Sequence, residues 1–137
     1  MHSKHKEENL RSKGIALFNK QHFFECHEVL ESLWKIQTGP ERQFTQGVIQ
    51  TAAAFHHLTN KNIAGAIKLL HLAAEKLSLF SAADHPLEGE IYIDTGTLVT
   101  LVRKCLAELE KCSLPRPFLI PTKRKSSTSK GDTQPVE

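Results

Sequence analysis

Apolar side chains recur three or four residues apart in five separate stretches of this chain, and Gly, Pro or Asn punctuates the gaps between most of them. That spacing gathers the apolar groups on one face of a helix, so the pattern predicts an all-α fold. The first helix is read over 4–20, where Leu10, Gly14, Leu17 and Phe18 carry the spacing. The second spans 23–37, through Phe23, Cys26, Leu30, Leu33, Trp34 and Gln37. Thr38-Gly39-Pro40 then closes one helix and opens the next, because Gly suits the position past a helix end and Pro the first turn. A third helix follows over 41–58. Its middle is rich in small residues, which let neighbouring helices approach closely and place it at the centre.

Asn60-Lys61-Asn62 reads as a tight turn, with Asn62 capping a fourth helix over 63–80. Ala66, Leu69, Leu70, Ala73, Leu77 and Phe80 form its apolar stripe. Residues 81–97, broken by Asp84, Pro86, Gly89 and Gly96, are expected to be a loop anchored by Tyr92 and Ile93. The fifth helix is placed over 97–112. Pro115, Pro117 and Pro121 forbid further helix, leaving Phe118-Leu119-Ile120 to dock as an extended strap. The expectation is a compact bundle of about five helices, built from two antiparallel hairpins plus a C-terminal helix. One helical domain covers 1–120, and 121–137 is a basic tail too poor in apolar surface to order itself. A faint echo links residues forty apart: Phe18 with Leu58, Phe23 with Ile63, Cys26 with Ala66, and Val29-Leu30 with Leu69-Leu70. It suggests two related hairpins.

A chain of 137 residues can bury a core without metal or disulfide support. Cys26, Cys105 and Cys112 are an odd set without metal-type spacing and read as small core residues in a reducing compartment. The amino end has no apolar signal region and no run is long enough to span a bilayer, so a cytoplasmic location without membrane insertion is expected. The net charge of +3 sits at the ends: residues 14–120 hold 10 Lys/Arg against 11 Asp/Glu. Nucleic-acid binding through the folded core is therefore not expected, although Lys123-Arg124-Lys125 offers a short basic tail. His2, His5, His22, His71 and His85 are scattered and read as exposed.

One polar constellation stands out. On the second helix His27 lies at the edge of the apolar stripe and Glu31 one step further round. The two are four residues apart and can meet. Glu28 lies beyond them and Glu25 points elsewhere. On the third helix Gln46, Gln50, Ala53 and His57 share one face, with His56 one step aside. Polar groups on so apolar a helix need partners, since each one buried without a partner costs about 1–3 kcal/mol. The expectation is a polar seam in which the Gln46/Gln50/His57 row meets the His27/Glu31 edge. Trp34 is core or the wall of this site. Arg42 is placed to reach Glu28 or Glu31.

Three uses of the seam follow from its chemistry. It can be a hydrogen-bonded lock that fixes helix register. His27, Glu31 and His57 can instead ligate a divalent metal such as zinc, iron or manganese. His27-Glu28-x-x-Glu31 resembles the zinc-protease pattern but has Glu where that pattern has a second His. As a third use, His27 can serve as a general base oriented by Glu31 in a small-molecule enzyme. No nucleophile accompanies it, since Cys26 points into the stripe and Ser32 outward. The expected function is a non-enzymatic binding module with this polar seam between the second and third helices; the alternative is a metal-dependent or small-molecule-processing enzyme using His27 and Glu31. A protein partner, or a homodimer through the fifth helix or the strap, is compatible with the pattern.

The stretch Phe24-Glu25-Cys26-His27-Glu28-Val29-Leu30-Glu31-Ser32-Leu33-Trp34 resembles the signature of the bacterial and plastid family called domain of unknown function 309. A second block over 46–54 and a third, Asn62-Ile63-Ala64-Gly65-Ala66, are similar to that family too, and the resemblance spans about residues 12–110. It implies a compact helical bundle and no particular activity. It singles out Glu25, His27, Glu28, Glu31, Trp34, Gln46 and Gln50.

Overall fold

The computed structural model describes residues 4–124. Five helices follow one another: α1 (Lys4–Asn19), α2 (Phe23–Ile36), α3 (Gly39–Thr59), α4 (Ile63–Ser78) and α5 (Thr95–Glu110). Each packs mainly on its neighbours in the chain, so the helices form a sequential array with α3 in the middle. The core runs through all five. Phe18, Cys26, Leu30, Leu33, Ala52, Phe55, Leu70, Leu77, Leu98 and Val102 are each buried.

Close helix crossings explain two glycines. A Cβ on Gly14 would lie 2.6 Å from Leu30 Cγ, and one on Gly47 would lie 2.7 Å from Leu77 Cγ. The α1–α2 and α3–α4 crossings therefore have the same build, a bare backbone beneath a leucine.

The turns repeat as well. His22 N–H donates to the Leu17 carbonyl at 2.9 Å and Gln21 N–H to the Phe18 carbonyl at 2.9 Å. At the next hairpin Asn62 N–H donates to His57 at 2.8 Å and Lys61 N–H to Leu58 at 3.0 Å. The end of α5 repeats the pattern, with Ser113 donating to Glu108 at 2.8 Å and Cys112 to Leu109 at 3.0 Å. Each is the paired capping arrangement that needs a left-handed residue just past the helix. Gln21, Lys61 and Cys112 supply it, with φ of 65°, 62° and 62°. The two hairpins are thus copies at the spacing of the sequence echo, and α5 ends as if a third were to follow. The proline-rich strap takes the place of its second helix. Because L-residues pay for left-handed backbone, Lys61→Gly should stabilise the fold by about 0.5–1 kcal/mol in a denaturant titration.

The segment expected to be a loop contains a hairpin. β1 (His85–Glu88) pairs antiparallel with β2 (Ile91–Ile93), with a bulge between Pro86 and Glu88. β3 (Thr122–Arg124) pairs antiparallel with β2. The basic tail therefore does not begin at residue 121 as expected: Thr122–Arg124 are a strand, because β2 offers them a free edge. The rest of the expected disordered tail, 125–137, lies outside the described residues. Ile93 anchors the hairpin at 1% exposure, whereas Tyr92 is only half-buried. The strap docks through Phe118, whose ring lies 5.6 Å from Phe18 and 5.5 Å from Phe55, and through buried Ile120, but Leu119 is exposed.

Two residue readings change. Cys26 and Cys105 are buried, and burial pushes their thiols up to about 12 and about 11, so both are packing groups. Cys112 is exposed, because it occupies the left-handed turn position. His85 is not exposed: its ring stacks on Phe44 at 3.8 Å. Burial, reinforced by the nearby Arg11 guanidinium, pushes it from 6.5 down to about 4. The folded state therefore holds the neutral ring, while an unfolded His85 gains its proton near 6.5. The contribution to stability is full above that pH and falls away as pH drops toward about 4. Thermal melts across this range should show wild type losing stability faster than His85→Phe, which keeps the stack and cannot titrate.

Candidate functional site

The residues singled out on α2 and α3 divide into three groups. At one end Arg42 lies over the Trp34 ring, 3.7 Å from its centroid, and its Nε donates to the Trp34 carbonyl at 3.1 Å. Arg42 thus caps the end of α2 and satisfies one of its last carbonyls. It pairs with neither Glu28 nor Glu31, because the Trp34 face and carbonyl lie nearer the start of α3.

At the other end His27, Phe24, Ala53, His56 and His57 line an apolar depression of about 170 Å³. α2 contributes Phe24 and His27, three residues apart, and α3 contributes the remaining three from its last turns. The Phe24 and His56 rings lie 5.5 Å apart, and Phe24 is 52% exposed. His57 is held by the turn that follows it. The Asn62 amide nitrogen donates to His57 Nδ1 at 3.0 Å, while the amide oxygen accepts Gly65 N–H at 3.0 Å. The oxygen's bond fixes which way round the amide sits, so Nδ1 is the acceptor and the neutral ring carries its proton on Nε2. His56 Nε2 faces the Asn60 amide at 3.3 Å.

Between these ends lie Glu31, Gln46 and Gln50. Among the described residues no hydrogen bond or ion pair joins His27 to Glu31, or either one to Gln46, Gln50 or His57. Gln50 Oε1 is buried without a protein partner. Glu25, Glu28 and Glu31 are all exposed, and their carboxylates make no contact with a described cation. Phe24, Glu28, Glu31 and Lys35 follow at intervals of four, three and four, which places them on one outward stripe of α2. His27 and Trp34, seven apart, form the flank toward α3.

Among the described residues no three His, Cys, Asp or Glu side chains gather where they could hold a metal ion, so His27, Glu31 and His57 do not form such a set. A wider cleft of about 440 Å³ lies between α1 and the β1–β2 hairpin. Two of its three acids are engaged: Glu8 Oε2 accepts Gly89 N–H at 3.0 Å, and Glu90 pairs with Arg124 at 3.3 Å. Lys123 lies 3.2 Å from Asp84 and 3.9 Å from Asp94, so the described start of the basic tail is occupied with local acids. Among the described residues no helix is long and apolar enough to cross a membrane.

Phe24, Ala53 and His56 were not among the site residues chosen from sequence. The available signal was an aromatic side chain on the polar side of an amphipathic helix, opposite Cys26 and Leu33.

Fold and site together define a small, mainly helical protein built on two repeated helical hairpins, with a side-chain-sized depression where two helices meet. Residues 12–69 match the family model described as Domain of unknown function (DUF309). It is also 31% identical over 102 residues to the uncharacterized protein YpuF of Bacillus subtilis (strain 168). That stretch is 74% of this chain and 56% of YpuF, so the chain spans little more than half of that relative. No solved structure matches the chain.

Proposed function

We propose that this protein is a non-enzymatic binding module that seats one anchoring side chain of a protein partner between α2 and α3. The observation that carries this reading is the depression lined by Phe24, His27, Ala53, His56 and His57. At about 170 Å³ it is well below the roughly 300–1,000 Å³ of small-molecule sites. It has the size of a single aromatic or branched side chain, the usual form of an interface anchor. The repeated hairpins add support, because stacked helical hairpins present extended surfaces to other proteins. A general-base reading needs Glu31 on His27, and that pair makes no bond.

A photo-reactive amino acid in place of Phe24 tests the reading in cells that make the protein. The reading expects a discrete protein adduct, suppressed when Ala53→Arg fills the depression and absent when the probe replaces Leu79. An adduct undiminished by Ala53→Arg, or none at position 24, contradicts it.

A further inference from the structure

The geometry points to a cationic amphipathic segment of a partner protein as the occupant of this face, an inference that rests on the binding-module reading above. The outward stripe of α2 starts at half-exposed Phe24, beside the depression, and runs on through Glu28 and Glu31. From Phe24 to Glu31 it covers about 10 Å, or two helical turns. Glu25 adds a third carboxylate on its flank. None of the three is neutralised by a described residue.

An apolar anchor next to an unpaired acidic row is the complement of one pattern. An apolar side chain enters between Phe24 and His57, and Lys or Arg one and two turns along faces Glu28 and Glu31. An acidic segment would place like charges on that row, a repulsion that selects against wrong partners. Lys35 closes the stripe, which limits the matching segment to about two turns. The exposed leucines of α4 and its C-terminal cap, Leu72 and Leu79, lack such a row: Lys68, Glu75 and Lys76 alternate in sign around them.

The test uses the full chain and two synthetic helical peptides with one shared apolar face, one lysine-rich and one glutamate-rich. Backbone amide resonances are followed during titration. The lysine peptide should shift the signals of Phe24, Glu28, Glu31, Ala53 and His57. Its affinity should fall about tenfold in Glu28→Lys/Glu31→Lys, a surface change checked for folding by its melting temperature. Added salt should weaken binding to wild type more than to that variant. If the glutamate peptide binds the same residues equally well, the charge preference is overturned and the anchor site stands. If neither peptide perturbs α2 and α3, both readings fall.

Discussion

Gly47→Val should be among the most damaging single changes in the protein, with a loss of about 3 kcal/mol or more in chemical denaturation. The reason is the crossing of α3 and α4. A Cβ at position 47 would stand 2.7 Å from both Cγ and Cδ2 of Leu77, whose side chain is fully buried. Leu77 is buried on every side, and Val brings two further methyls. The helices must separate, which opens the middle of the array. A smaller Ala should hurt less, since its better helix propensity returns about 1 kcal/mol. The paired change Gly47→Ala/Leu77→Ala should recover little, because the shortened leucine leaves a cavity. Gly14 should behave like Gly47, since a Cβ there would press on Leu30 in the same way.

Phe55→Ala should cost about 3–5 kcal/mol. Phe55 is stacked on Phe23 at 5.3 Å and meets Phe18 and Phe118 edge-on at 6.0 and 5.5 Å. It joins α1, α2 and α3 to the strap, so its loss removes packing from four segments at once. The strap should loosen along with it, and hydrogen exchange at Ile120, whose N–H donates to Asn19 Oδ1 at 2.8 Å, would report this. A Phe55→Ala protein that keeps both its melting temperature and its Ile120 protection would contradict this account of the core.

The helices were legible in the sequence because their information is local. Apolar period, Gly39-Pro40 and the Asn62 cap each act within a turn or two. The β1–β2 hairpin was not legible, since its strands are short, β1 contains a proline, and few of its residues face the core. Distant contacts hold it, such as Arg11 Nε on the Leu87 carbonyl at 3.4 Å, Gly89 on Glu8, and the ladder to β3. The same distinction runs through the site. Helical arithmetic put His27 and His57 near one another, and both line the depression. It could not rank the polar row of α3 against its neighbour: Ala53 and His56 line the depression and Gln46 does not. Nor could it foresee that Arg42 would choose the face of Trp34 over a carboxylate, a choice made by the turn between α2 and α3.

The thermal stability of His27→Ala/Glu31→Ala tests most directly whether this edge of α2 is kept for a partner or holds the bundle together. Freed of any mutual hydrogen bond, the two side chains should be dispensable for folding, and the double variant should melt within about 0.5 kcal/mol of wild type. A loss of about 2 kcal/mol or more would mean that they lock the helices together, and the surface assigned to binding would be part of the scaffold.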